Sequence, residues 1–160
     1  MSVRIDAASM LCDAGGEMSL GDVQAQLETE NLTLGLDPAS WEGVSTLSVN
    51  EWLGKGAHGA RDPWLDPADH LIAGMEAELL DGRVIVLRPA PRRAVGPDLV
   101  SLVVGHAQRF AKVNRVWLRI HVRGARVPET APYLGNRDPP VTDAEDALLA
   151  RIAVEMQRPR

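Results

Sequence analysis

The sequence predicts an α+β fold, in which a small mixed, mainly antiparallel sheet is covered by two or three helices. Two observations lead to this class. An Asp-Gly pair at 81–82 separates the apolar runs 71–80 and 84–87, and this pair favours a tight β-hairpin turn. Ser19 and Ser48 each precede apolar residues with helical spacing, as helix-capping serines do.

The first third of the chain predicts a strand, a helix and a short extended segment. Residues 1–13 form one predicted strand, which ends at two successive glycines. Ser19 then caps a helix that ends near Asn31. The Asp22 carboxylate in its first turn interacts favourably with the positive end of the helix dipole. Residues 32–36 are extended, and a turn at Asp37-Pro38 closes them. The apolar face of the helix consists of Leu20, Val23 and Leu27.

Ser48 starts a second short helix, because Glu51 completes a capping box with it. A Gly-rich loop at 54–62 follows, and the predicted hairpin comes next. Residues 98–104 are predicted to form a brief helix or an apolar turn. From Val116 to Val122, apolar residues alternate with Trp117, Arg119 and His121, which predicts a half-buried strand.

The C-terminal part predicts a linker and one amphipathic helix. We expect three units: a domain at 1–122, a linker rich in Pro, Gly and Arg at 123–141, and a helix at 142–160. A capping box, Thr142 to Glu145, opens the helix. Its apolar face must dock on the domain or on a partner, and we favour the domain. That face consists of Leu148, Leu149, Ile152, Ala153 and Met156.

Composition limits the function classes. The chain has 160 residues, of which 45% are hydrophobic and 24% charged, as in one ordinary globular domain. A net charge of −5 and few aromatic residues argue against nucleic-acid binding. Basic residues do cluster locally, which indicates a solvated basic face or a site for an anion or acidic partner. They are Arg88, Arg92, Arg93, Arg109, Lys112, Arg115 and Arg119.

The single Cys12 excludes an internal disulfide and is typical of a reducing compartment. With no apolar run approaching ~18 residues and no leader segment, we expect a cytoplasmic protein without a membrane span. His70 and the nearby aspartates Asp62, Asp66 and Asp69 match no zinc or calcium pattern. We therefore predict no metal site, and no residue is predicted to be catalytic.

The order of these elements resembles the second half of the flavin-binding domain of FAD-linked oxidases. This is the vanillyl-alcohol oxidase superfamily, which includes glycolate oxidase flavin subunits and alkylglycerone-phosphate synthases. The resemblance covers residues 3–122 and includes Leu-Gly-Leu-Asp-Pro at 34–38, the Gly-rich loop, the Asp-Gly hairpin and Gly-Pro-Asp-Leu at 96–99. It implies that any bound FAD would contact Pro38, Gly56, His58, Gly59 and Gly105.

Three departures from the family pattern lead us to expect relaxed flavin binding. The opening subdomain, with its pyrophosphate-binding turn, has no counterpart among the 160 residues, and neither does a substrate domain. Val49, Asn50 and Glu51 cover the region where the family carries a Gly-Gly pair. Of a glycine-x-glutamate-glycine-x-x-glycine element only Gly105 remains, because the other positions hold Ala107, Gln108 and Ala111.

These departures predict a non-catalytic module descended from FAD-linked oxidases, with no cofactor and no activity of its own. It would act through protein contacts, either as a homo-oligomer or with a partner that supplies the missing subdomain. The alternative is an FAD-binding subunit of a heteromeric oxidoreductase that oxidises a 2-hydroxy acid or a similar small substrate. A third hypothesis, an anion-binding domain, rests only on the basic cluster.

Overall fold

A computed structural model describes residues 2–36, 38–60, 71–89, 100, 103–125 and 143–157. The predicted α+β class is confirmed: a five-stranded antiparallel sheet has the order β1-β2-β6-β4-β5, and β3 pairs with β7 in a second, two-stranded sheet. The elements are β1 (Arg4–Asp6), β2 (Leu11–Gly15), α1 (Leu20–Glu28), β3 (Leu32–Thr33), α2 (Pro38–Val44), α3 (Val49–Gly54), β4 (Ile72–Leu79), β5 (Val84–Leu87), α4 (Ala107–Phe110), β6 (Ala111–Arg119), β7 (His121–Val122) and α5 (Asp143–Met156).

The prediction of one continuous strand over 1–13 was wrong. The segment is a hairpin, in which Arg4 lies opposite Asp13 and Asp6 lies opposite Leu11. The backbone N–H of Ser9 donates to the Asp6 carboxylate at 3.1 Å. The Asp6 side chain thus stabilises the turn. The turn contains neither glycine nor proline, and its last residue before β2, Met10, has φ 51°.

The two predicted caps are confirmed. Ser19 accepts a hydrogen bond from the Asp22 N–H at 3.0 Å, and Ser48 accepts one from the Glu51 N–H at 3.1 Å. The Glu51 carboxylate accepts in return from the Ser48 N–H at 2.9 Å. These Ser48 hydrogen bonds hold the pKa of Glu51 below its ordinary value. Helix α1 ends at Glu28, which is earlier than the predicted Asn31.

Pro38 was predicted to close a turn, but it begins helix α2. Proline suits the first position of a helix, because the N–H that it lacks would have no partner within the helix there. Asp37 lies outside the described residues. Helix α2 contains Gly43, and glycine lowers the helix propensity of this segment.

The predicted hairpin is confirmed. The Leu79 N–H donates to the Arg83 carbonyl at 2.8 Å, and the Gly82 N–H donates to the Leu79 carbonyl at 2.9 Å. Gly82 has φ 81°, a conformation that glycine adopts without steric cost. Asp81 and Arg83 form an ion pair of 2.6 Å at the tip.

Strand β6 begins at Ala111, five residues before the predicted strand at 116–122. The predicted alternation is confirmed through Ile120, because Val116, Leu118 and Ile120 are buried. It fails at Val122, which is 46% exposed and pairs with Leu32 in the second sheet.

The helices α1 and α3 contribute their buried residues to one hydrophobic core with the inner face of the large sheet. The outer face carries acidic and basic residues in register: Glu76 lies opposite Arg115, and Glu78 lies opposite Lys112. The core side chains with no exposed surface include Leu20, Val23, Leu27, Val49, Trp52, Leu53, Met75, Phe110, Val113, Val116 and Leu118.

The described basic residues do not form a purely basic face. Lys112 pairs with Glu17 at 2.9 Å, Arg115 pairs with Asp13 at 3.4 Å and Arg109 pairs with Asp146 at 2.6 Å. The Glu17 carboxylate raises the pKa of Lys112 through a hydrogen bond and its charge. Arg92 and Arg93 lie outside the described residues.

Helix α5 contacts α4, and the Arg109–Asp146 ion pair joins them. Leu149 and Ala153 are half-buried on the same side of the helix as Asp146. Leu148 and Ile152 are 54% and 37% exposed, so only part of the predicted apolar face is covered. Most of the linker predicted at 123–141 lies outside the described residues.

Candidate functional site

The end of α3 and the residues before α4 bring Gly56 and Gly105 together. Gly59 follows Gly56 in the same loop, and we call the three residues the glycine cluster. Their φ angles are 88°, 80° and 84°. The Gly56 and Gly105 N–H groups both donate to the Leu53 carbonyl, at 3.1 Å and 2.8 Å. A shared acceptor therefore joins two segments that lie about fifty residues apart in the sequence.

Trp52 positions the loop of the glycine cluster. Its indole N–H donates to the His58 carbonyl at 2.9 Å, and its own carbonyl accepts from the Ala57 N–H at 2.9 Å. The Trp52 side chain is fully buried, so these bonds fix the loop to the core. Ala57 has φ 55°, which costs a non-glycine residue about 1 kcal/mol and persists only where surrounding contacts hold it.

The backbone at Gly56 and Gly105 is open on its outer side. A Cβ atom added at Gly56 would meet nothing within 4 Å, and one added at Gly105 would meet only the Gly56 Cα at 3.9 Å. Open glycines allow a ligand to approach the main chain closely. The flavin contacts implied at Gly56, His58, Gly59 and Gly105 thus fall on these two joined segments, whereas Pro38 is the exposed first residue of α2. All five remain predictions.

The three residues at the family's Gly-Gly position have roles within this chain. Val49 is fully buried in the core. The Asn50 side-chain oxygen accepts from the Val113 N–H at 3.0 Å, and the Asn50 N–H donates to the Gly16 carbonyl at 2.9 Å. Glu51 completes the cap of α3. These three side chains therefore stabilise the fold.

Residues 105–111 resemble a glycine-rich element in sequence, but they fold around a helical turn, α4. Phe110 is fully buried and its ring meets that of His106 edge to face, with centroids 6.2 Å apart. Ala111 is buried and begins β6. This segment contributes to the core from Phe110 onward, which its sequence did not predict.

The buried Cys12 has the properties of a structural thiol. It is 1% exposed, and burial raises its pKa from an ordinary 9.0 to about 12 against the opposing effect of a backbone hydrogen bond from Leu118. Only the thiolate is a strong nucleophile.

We expect the thiol of folded Cys12 to react with iodoacetamide at mildly alkaline pH at least about a hundredfold more slowly than in urea. Mass spectrometry of timed samples measures both rates. Because the unfolded thiol ionises first, the contribution of Cys12 to stability should fall as pH rises from about 9 towards 12. Equal rates in folded and unfolded protein would contradict its burial.

The described residues contain no group of three His, Cys, Asp or Glu side chains that could hold a metal ion. Asp62, Asp66, Asp69 and His70 lie outside that part of the chain, so the absence of a metal site stays a prediction. Within the described ranges, no helix is long and apolar enough to cross a membrane.

Comparisons with known proteins identify partial relatives. No protein-family profile matches the chain. A stretch of 52 residues is 33% identical to the uncharacterized FAD-linked oxidoreductase YgcU of Escherichia coli, in strains K12 and O157:H7. The stretch covers 32% of this chain and 11% of YgcU.

Two solved structures of alkyldihydroxyacetonephosphate synthase, in the crystal forms P212121 and P1, share the fold. Their TM-scores are 0.58 and 0.56, at 15% and 16% sequence identity. Each match covers 74% of this chain, and it covers 21% and 22% of the respective synthase chains. The chain therefore spans about a fifth of these structures and about a tenth of its curated relatives.

These matches and the α+β architecture agree: the chain resembles a part of the FAD-linked oxidases, as its sequence predicts. The structural likeness, at this identity, is a likeness of fold. The cofactor and activity of the whole oxidases carry over to this chain only as proposals.

Proposed function

We propose that this chain is a non-catalytic module with an FAD-linked-oxidase-like fold that acts through protein contacts. The observation that carries the proposal is the exposed apolar surface of strand β5 and the turn before it. Val84 and Val86 are 55% and 50% exposed, and Leu80 is 40% exposed. Strand β5 is an edge of the large sheet as far as the described residues define it.

Folded proteins commonly protect an edge strand with lysine, proline or a β-bulge, since a free edge can pair with another chain. Residues 84–87 read Val-Ile-Val-Leu and contain none of these features. An apolar edge that no described strand covers fits a role in contact with another polypeptide.

The hydrogen bonds of Asn50 support the loss of flavin binding. Its side-chain oxygen accepts from the Val113 N–H, and Val113 is fully buried. If Asn50 moved aside for a ligand, this N–H would lose its partner, which costs about 1–3 kcal/mol. Any flavin that needs this space would have to overcome that cost.

The proposal predicts that the purified chain is colourless and shows no saturable change on titration with FAD. The measurement is a visible absorption spectrum, followed by titration monitored through flavin fluorescence. A flavin band in the purified protein, or saturable binding in the micromolar range, would overturn the non-catalytic proposal.

The open main chain at Gly56 and Gly105 favours one second candidate, an FAD-binding subunit of a heteromeric oxidoreductase that acts on a 2-hydroxy acid or a similar small substrate. If FAD binds, Gly56→Ala should weaken it, because a methyl group would stand on the open main chain. Gly82→Ala is the matched control: Gly82 has a similar φ of 81° and equally open surroundings. Equal effects of the two substitutions would exclude Gly56 as an FAD contact.

A further inference from the structure

The hydrogen-bonding direction of β5 follows from the hairpin. Leu79 and Arg83 form a hydrogen-bonded pair, and such pairs alternate with non-hydrogen-bonded pairs along an antiparallel ladder. Ile85, opposite Ala77, therefore faces its backbone groups towards β4. Val84 and Val86 direct their N–H and C=O groups away from β4, and no described strand pairs with that side.

A two-fold axis through Ile85 would make this edge complementary to itself. It places Val84 of each copy opposite Val86 of the other. These are the residues whose backbone N–H and C=O groups point away from β4. Ile85 then meets Ile85 of the second copy. Shifting the axis to Val86 would place Val84 opposite the exposed Arg88, so the Ile85 axis alone pairs apolar residues throughout 84–86.

The charges on the outer face fit the same arrangement. Val84 lies opposite Glu78 and then Lys112, whereas Val86 lies opposite Glu76 and then Arg115. Across the two-fold axis, the opposed residues of one copy are Lys112, Glu78 and Val84. They continue into Val86, Glu76 and Arg115 of the second copy. No like charges meet at the junction, where opposed like charges would be destabilising.

We infer that β5 is the interface of a symmetric dimer, in which residues 84–87 of two copies pair antiparallel about Ile85 and extend each sheet across the junction. This rests on the proposed protein-contact function and specifies its partner as a second copy of this chain. A strand of four residues buries less than the roughly 1,200–2,000 Å² of a stable interface. The dimer should therefore be weak, and it should form only as the concentration rises.

Sedimentation velocity on the full chain tests the inference over a roughly hundredfold range of concentration, since mass action governs a weak dimer. The mean mass of the wild type should rise from monomer towards dimer. Val86→Lys should raise the dissociation constant by at least about tenfold, because its ammonium group would face an apolar strand. Val154→Lys is the matched control, since Val154 is 57% exposed on helix α5.

The register has its own test. At the axis, Ile85 forms a non-hydrogen-bonded pair with its copy, for which the Cα atoms are about 4.5 Å apart, within the range that a disulfide bridges. Ile85→Cys should therefore crosslink to a dimer under mild oxidation, whereas Val154→Cys should not. The native Cys12 is buried and should not contribute.

The outcomes separate this inference from the proposed function. A chain that stays monomeric throughout, a dimer that Val86→Lys leaves unchanged, or a dimer that Ile85→Cys fails to crosslink would each overturn the β5 interface. The protein-contact function would survive these results if FAD titration remained negative. Bound FAD would instead overturn the proposed function, whatever the sedimentation result.

Discussion

Gly16→Ala is expected to destabilise the fold by about 3–5 kcal/mol. A Cβ atom at Gly16 would overlap the carbonyl oxygen of Val113 and lie 2.9 Å from its carbonyl carbon. Both contacts are to backbone, which cannot rotate aside. The Gly16 N–H donates to the Asn114 carbonyl and its own carbonyl accepts from the Asn50 N–H, each at 2.9 Å. These bonds hold Gly16 between β6 and the start of α3.

Relief of the clash would require β2 and β6 to separate locally. Overpacking of this kind costs about 1–3 kcal/mol, and each hydrogen bond lost adds about 1 kcal/mol. The sum, about 3–5 kcal/mol, is a large part of the ~5–15 kcal/mol by which a domain is stable. Urea denaturation followed by far-UV circular dichroism measures the free energy of unfolding, or shows that no folded protein remains.

Gly43→Ala is the matched control for this prediction. Gly43 is exposed within α2, and a Cβ atom there would meet nothing within 4 Å. The same substitution should therefore raise the stability by up to about 1 kcal/mol, because alanine favours helix more than glycine does. If Gly16→Ala were as stable as the wild type, the close approach of Gly16 to β6 would be wrong.

Elements with a complete local signal were predictable from the sequence. Ser48 and Glu51 satisfy each other's backbone groups within four residues, so their pattern alone defines the start of α3. The Asp-Gly turn at 81–82 has its required glycine in place. In both cases the residues that make the structure are adjacent in the chain.

Elements that depend on distant contacts were not predictable. The turn between β1 and β2 lacks glycine and proline, and Met10 adopts a left-handed φ there. β1 is defined by its pairing with β2, which in turn pairs with β6, about a hundred residues later. Helix α2 is short and contains Gly43, so its intrinsic propensity is low.

The candidate site was predictable in part. The family resemblance predicted contacts at Gly56, Gly59 and Gly105, and glycine allows a ligand to approach the main chain closely. That Gly56 and Gly105 share the Leu53 carbonyl follows from the tertiary fold and has no local signal. The internal roles of Asn50 and Phe110 also depend on β6 and the core. Residue identity alone could not show that these side chains make internal contacts.

Trp52→Ala is expected to have the second large effect, a loss of about 3–5 kcal/mol of stability, as for other fully buried aromatic side chains. Trp52 has no exposed surface, and its indole N–H supplies a hydrogen bond to the His58 carbonyl. Both the core and the loop of the glycine cluster depend on it. Urea denaturation measures the total effect.

Trp52→Phe separates the two roles of the side chain. It keeps most of the apolar volume but removes the N–H donor, so the stability loss should fall to about 1–2 kcal/mol. Amide hydrogen exchange should then accelerate at Ala60, whose N–H donates to the Ala57 carbonyl within the loop, relative to the amides of α1. Trp41→Phe, at a half-buried position in α2, should leave this exchange unchanged. If Ala60 were equally protected in both variants, the indole hydrogen bond would not be what orders the glycine cluster, and the strained backbone at Ala57 would need another support.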